Sequence, residues 1–425
     1  MTEAFLHHLW KLKIFNSGKL KTIEGESLEI LKTGQHNSDS GPDFFNAQVK
    51  IGDTHWAGNV EIHLKSSDWK NHFHDQDAAY DNVILHVVFE HDGTVMRKNG
   101  SRIPEFELKN QFDERLWRNY QSLLQSKQWI PCQHLLSKVD QFTLNNWIDR
   151  LLIERLENKT GVLFSSLQSN NSNWEETFYQ HLARNFGFRL NALPFEMLAK
   201  SLPVSCLAKH HDRLLQLEAM LFGQAGMLEK SMEDDYPNEL KQEYVFLKKK
   251  FGLEPMALHQ WKFLRLRPVN FPTIRIAQFA QLVHHSSHLF SKILECKKVD
   301  DLKIYFRFEV STYWQTHFIF DKQSKKQTKA LGSGSFENIV INTIVPFLFA
   351  YGQNRGSEIH QQRAIQFLEE IPSEKNSILS GWKKIGIDSR SGYYSQALLQ
   401  LKNEYCLEKK CLNCSIGNYL LQNVV

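Results

Sequence analysis

The residues with the clearest chemical potential lie between Gly41 and Trp69, in GPDFFNAQVKIGDTHWAGNVEIHLKSSDW. Side chains along a strand repeat every two residues, so Glu61, His63 and Lys65 share one face of a strand read from THWAGNVEIHLK. Gly52-Asp53 reads as a tight hairpin turn, which lays the preceding strand FFNAQVKI alongside and brings Asp43, at its entrance, toward Glu61. Two carboxylates and a basic group then converge. That set suits a hard divalent cation, Mg²⁺ or Mn²⁺, which takes oxygen ligands and keeps several waters. An ion held there activates water against a phosphodiester and offsets the charge growing on its oxygens, with His63 or Lys65 assisting that water. A plainer reading competes: Gly-Pro-Asp opens turns in which the Asp bonds its own backbone, and Glu61 could pair with Lys65 or an arginine on a wet strand face.

The connection that follows, DWKNHFHDQDAAYDN, places His72 and His74 among Asp68, Asp75 and Asp77. Histidine and carboxylate at short spacing suit Zn²⁺ or another first-row ion. They support either a zinc-dependent hydrolase of small substrates or a supporting role beside the carboxylates. His86, within ILHVVF, reads as a hydrogen-bonded core histidine. Cys406, Cys411 and Cys414 offer three thiolates near the C-terminus, and Cys132 in WIPCQH is the candidate fourth ligand for Zn²⁺ or an iron–sulfur cluster. Free, partly buried thiols are the alternative. In HQWKFLRLRPVNFPTIRIAQFAQL, Lys262, Arg265, Arg267 and Arg275 stand among Trp261, Phe263 and Phe271, as DNA- or RNA-contacting segments do. The interleaved Leu264, Leu266, Ile274 and Ile276 argue for packing instead.

The elements that must position these residues are legible in outline. Phe5, Leu6, Leu9, Trp10 and Ile14 fall at helical spacing, so a short amphipathic helix runs from Glu3 to about Lys13. Strands are expected at residues 28–32, 44–51, 54–65, 82–90 and 102–108, and helical periodicity takes over from about Gln111. The apolar run ENIVINTIVPFLFAYG is expected to be a helix broken at Pro346. The fold class is α+β: a small mixed α/β domain at residues 1–110, a helical domain at 111–330, and a C-terminal helical region with the cysteines at 331–425. At 425 residues and 42% hydrophobic content the chain can bury more than one core. Its formal net charge of +4 confines any nucleic-acid surface to a local patch. No apolar run approaches the ~20 residues of a bilayer span, and MTEAFLHHLWKLKIF has no signal-like core, so a cytoplasmic protein is expected.

The order of an acid-bearing helix, a strand, Pro-Asp at a second strand and an acid-x-basic triplet on a third resembles the PD-(D/E)XK nuclease superfamily. Pro42-Asp43 matches its Pro-Asp and Glu61-Ile62-His63 its acid-x-Lys, with His63 in the place of lysine and Lys65 one step along the same face. The resemblance covers roughly residues 1 to 110 and implies that Glu3 completes the acid set. It also implies a metal-dependent nuclease, or, since the lysine has changed, a degenerate nuclease fold that binds nucleic acid or protein without cutting. The whole chain is in addition similar to a bacterial family of unknown function, familiar chiefly from the Bacteroidetes. That similarity rests on GQHNSDSGPDF, GNVEIHLKSSDWKNHFHDQDAAYDNVILHVV, RLRPVNFPTIRIAQFAQL and YCLEKKCLNCSIG.

Overall fold

The computed structural model describes residues 1–16 and 18–423. The chain forms two compact units, one of residues 1–147 with 402–425 and one of residues 148–401. The boundaries expected near 110 and 330 fall inside these units, because the chain end returns to the first of them.

The first unit opens with helix α1 (Glu3–Leu12), whose N-cap Thr2 accepts from the Phe5 N–H and whose C-cap Lys13 is left-handed. Strands β1 (Leu20–Lys21), β2 (Ser27–Lys32), β3 (Gln35–His36), β4 (Phe44–Ile51) and β5 (Thr54–Lys65) follow. A short helix α2 (Asp68–Asn71) leads to β6 (Val83–Glu90), β7 (Glu105–Glu107) and helix α3 (Glu114–Gln125). They build one sheet in the order β1-β2-β4-β5-β6-β7, with β3 pairing on β4. The β1, β2, β4 and β5 pairs are antiparallel, whereas β5-β6 and β6-β7 are parallel. The turn at Gly52-Asp53 closes the β4-β5 hairpin, with Ile51 paired to Thr54 and Gly52 at φ +56°. Parallel pairing cannot be closed by a tight turn, so β5 and β6 need a long crossover, and residues 66–82 supply it. Gly58 marks the start of that pairing: a Cβ there would stand 2.5 Å from Ile84 Cγ2.

One sheet face carries the core. Phe44, Val49, Val60, Ile62, Leu85, Val87 and Phe106 pack with Phe5, Leu6, Leu9 and Trp10 of α1 and with Tyr120 and Leu123 of α3. Each such side chain contributes about 1.5–3 kcal/mol by leaving water, and the alternation commits the intervening residues of β5 to the other face.

The second unit is helical among its described residues, apart from a small hairpin of His317–Ile319 with Lys322–Gln323. Phe178, Phe186, Phe279 and Phe347 are among its buried aromatics. The expected break at Pro346 is a correction: the chain stays helical, with a π-helical turn over Val340–Ile344 leading into the helix Val345–Arg355. Proline lacks an N–H and crowds the carbonyl four residues back, and the wider turn absorbs the mismatch. Among the described residues no helix is long and apolar enough to cross a membrane.

Candidate functional site

β5 sends Val60 and Ile62 into the core and turns Glu61 and His63 to the opposite face, both buried. A bulge decides where Asp43 falls. Ala47 pairs with Gly58, but Phe44 pairs with Val60, so β4 carries one extra residue between them, and Asn46 sits there at φ +57°. Continued without the bulge, the pairing would set Asp43 opposite Ile62 on the core side; the extra residue sets it opposite Glu61. The Asp43 N–H donates to Glu61 Oε2 at 3.0 Å, and Asp43 Oδ2 accepts from the Ile62 N–H at 2.9 Å. The turn ahead of it is held by Asn37, whose amide donates to the carbonyls of Asp39, Ser40 and Pro42.

Helix α1 adds Glu3 and His7, one turn apart. His7 Nε2 lies 3.2 Å from Asp43 Oδ2. Burial raises the Glu3 carboxyl above its ordinary range; His72 opposes that rise and Asp43 adds to it, so Glu3 lies within electrostatic reach of both.

The crossover supplies the two further histidines. After α2, Phe73 adopts φ +62°, the Phe73 N–H donates to the Lys70 carbonyl, and the His74 N–H donates to the Trp69 carbonyl. These are the two bonds of a Schellman helix end, usually made with glycine at the left-handed position. The reversal folds His72 and His74 back over β5. His74 Nε2 and His63 Nε2 stand 3.3 and 3.5 Å from Glu61 Oε1, and His72 Nδ1 is 3.1 Å from His63 Nε2. Ring nitrogens of His63, His72 and His74 all lie within 4.8 Å of one another. Tyr80 stacks on His74 with centroids 3.7 Å apart, fixing its plane.

Behind His63 runs a chain of hydrogen bonds that sequence reasoning missed. His63 Nδ1 meets His86 Nε2 at 2.9 Å, and His86 Nδ1 meets Glu105 Oε2 at 3.0 Å. Glu105 also accepts from Ser66 Oγ at 2.7 Å and is bonded by His91. Burial pushes the Glu105 carboxyl up, but the bonds from His86, Ser66 and His91 outweigh it and hold the group below its ordinary range. An ionised carboxylate only accepts, so the proton of a neutral His86 sits on Nδ1 and its Nε2 accepts from His63 Nδ1. That leaves His63 Nε2 unprotonated, its lone pair shared between His72 Nδ1 and the side facing Glu61. Burial, then His86, drives His63 down to about 2, so it stays neutral at ordinary pH.

The residues fit a metal ion. Burial raises Glu61, with the neighbouring His74 as the main opposing influence. The Nε2 atoms of His74 and His7 are buried and make no well-formed hydrogen bond, although each stands within 3.3 Å of a carboxylate oxygen. His72 is exposed and leaves a way in from solvent. Lys65 is exposed, pairs across to Glu90, and lowers Glu90 and Asp92. His63 is the basic group beside Glu61.

In the second unit Lys262, Arg265 and Arg267 are exposed, but Arg275 is buried. Its guanidinium bonds Gln278, Asn270 and Ser335 and lies 4.4 Å from the Phe188 ring centroid. With those groups occupying it, Arg275 is a packing residue, and the expectation of a nucleic-acid contact there is corrected. Cys132, Cys406, Cys411 and Cys414 all belong to the first unit and all are free thiols.

No curated protein and no solved structure matches the chain. The family model that does match ends before the terminal cysteines. Because it spans residues 3–377, the chain belongs to the family described as Protein of unknown function (DUF2851).

Proposed function

We propose that the first unit is a metal-dependent phosphodiesterase acting on nucleic acid. The observation that carries this reading is the convergence of Glu61, His63, His72 and His74 on one spot, with Asp43 and Glu3 beside it. The carboxylates and the histidines, separable in the sequence, form one cluster. Three imidazoles and a carboxylate suit a first-row ion such as Mn²⁺ or Zn²⁺ better than Mg²⁺. A bound ion there would polarise a phosphoryl oxygen and lower the pKa of a water so that it attacks as hydroxide. Glu61 and the three histidines would hold it, Asp43 and His7 would fix the carboxylate side, and Glu3, raised by burial, would take the proton from the attacking water. The phosphodiester as substrate is favoured by the order of Glu3 on a helix, Pro42-Asp43 at a strand and Glu61-x-His63 on the next, the PD-(D/E)XK pattern.

The test is incubation of the purified protein and its Glu61→Gln variant with single-stranded and duplex DNA and RNA, in Mn²⁺, Zn²⁺ or Mg²⁺ and in chelator. Cleavage that needs both metal and Glu61 is the expected result. Binding of nucleic acid without cleavage under every metal would make the unit a non-cutting binding module, the alternative favoured by histidine in the lysine position. Zinc uptake with turnover of small esters alone would make it a zinc hydrolase, the alternative favoured by the histidine triad.

A further inference from the structure

Four thiols separated by up to 282 positions, from Cys132 to Cys414, gather in the first unit. Cys132 precedes the 3-10 turn Gln133–Lys138, and Cys406 ends the π-helical turn Leu401–Cys406. Cys411 opens a 3-10 turn, and Cys414 directly precedes the helix Ser415–Asn423. The turn after Cys132 and the turn opened by Cys411 both pack against the helix after Cys414, and the thiols act on one another electrostatically, so the four lie near one another. Cys411 and Cys132 pack against the same hydrophobic core as α1 and the sheet.

Two local features are built for sulfur that carries charge. The backbone N–H groups of Ile416 and Gly417 and the Trp147 side chain oppose the rise that burial imposes on the Cys414 thiol. A neutral thiol is a weak acceptor, whereas a thiolate ligand needs such donors. Gly417 lies so close to the Cys411 turn that a Cβ would stand 2.1 Å from the Cys411 carbonyl oxygen, so only glycine lets the helix start press on that turn.

We propose that Cys132, Cys406, Cys411 and Cys414 bind a soft metal centre that staples the C-terminal segment to the sheet-bearing unit. Its chemistry is four-thiolate ligation, which serves either one zinc ion or an iron–sulfur cluster. Among the described residues no three of these sulfurs lie mutually within 4.8 Å. Four thiolates on one zinc at ~2.3 Å would stand about 3.8 Å apart, so the thiols would have to draw together to hold a single ion. The centre is separate from the histidine and carboxylate site and does not depend on its activity.

The experiment is metal and acid-labile sulfide analysis, with absorption spectra, of the full chain purified without oxygen. Cys414→Ser and Cys132→Ser are compared with Cys206→Ser, a thiol of the second unit. Expected are about four iron and four sulfide per chain, or one zinc, falling at least tenfold in the first two variants and unchanged in the third. Iron with sulfide supports the cluster and zinc the mononuclear form; either supports the centre. Hydrogen exchange of residues 406–423 guards against misfolding: it should rise on metal removal from the unaltered protein as it does in the variants. Metal-free protein from iron- and zinc-supplemented cultures, with exchange in 406–423 indifferent to chelator, would overturn the proposal.

Discussion

Asp43 and Glu61 are joined twice across the β4-β5 hairpin: the Asp43 N–H donates to Glu61 Oε2 at 3.0 Å, and Asp43 Oδ2 accepts from the N–H of Ile62 at 2.9 Å. Each carboxylate is thus aligned by the backbone that carries the other. Repulsion between them is tolerated because donors surround both, and a cation placed between them would relieve what remains.

The bulge makes this pairing. Asn46→Val places a β-branched residue at the left-handed position and favours the unbroken register, which moves Asp43 opposite Ile62 on the core face, so metal affinity measured by calorimetry should fall while the sheet still forms. Asn46→Gly keeps the left-handed residue and should leave affinity unchanged. Unchanged affinity in Asn46→Val would refute the register argument.

Glu105 acts on the site through His86. Glu105→Gln removes the charge that fixes the proton on His86 Nδ1, and metal affinity is expected to fall about 10- to 100-fold with the fold retained. Nitrogen NMR of the histidine side chains reads the cause directly, since His63 should lose its single tautomer. An unchanged tautomer together with unchanged affinity would sink the relay.

Phe73 holds a left-handed conformation between His72 and His74. Phe73→Gly relieves roughly 1–2 kcal/mol of backbone strain against about 0.5–1 kcal/mol of added chain entropy, so denaturation should show a stability within about 1 kcal/mol of the parent. Phe73→Val, β-branched in the same conformation, should be less stable than the parent and bind metal more weakly. Equal stability of the two variants would speak against the helix end as the device that aims the histidines.

Arg275→Ala should destabilise the second unit by about 2–4 kcal/mol, because it leaves Gln278 and Asn270 without their buried partner. Arg265→Ala, at an exposed site, should change stability by less than about 0.5 kcal/mol. Any phosphate contact in this segment then falls to Lys262, Arg265 and Arg267. Replacing all three with alanine should weaken nucleic-acid binding and flatten its salt dependence, read by titration at several salt concentrations.

His8 gives the fold a pH dependence. Burial first, and Lys11 next, lower it to about 4, so the folded chain refuses a proton that the unfolded chain accepts near pH ~6.5. The stability tied to a neutral His8 is complete above that value and is lost as pH falls from ~6.5 to about 4. Chemical denaturation across that window in chelator should show the slope, and His8→Gln should lessen it, with His63 supplying part of what remains; an equal slope in the variant would remove His8 as a source.

Much of the first unit was legible because one face of its sheet is buried. Strands 44–51 and 54–65 have the bounds that alternation and the Gly52-Asp53 turn prescribe. Two-residue edge strands such as β1 and β3 have no period to read and were missed. The hairpin of residues 317–323 was missed for the same reason. Arg275 misled because a guanidinium in an apolar helix has the composition of a binding stripe, and only its neighbours reveal that it is enclosed. His7 had a signal, its spacing of four from Glu3 on one helix face. His86 was legible as a core histidine but not as a link to Glu105.

The sequence by itself determined that Glu61 and His63 share a strand face, since a period of two is a property of the strand alone. It also determined that Glu3 opens a helix and that an α+β chain with a helical body follows. Tertiary structure decided the rest of the site. The extra residue at Asn46 turned Asp43 toward Glu61, the parallel crossover laid His72 and His74 over His63, and two further strands brought His86 and Glu105 behind it. Register shifts, crossover paths and the return of residues 402–425 are settled by packing between segments far apart in the chain, and local periodicity carries no information about such pairings.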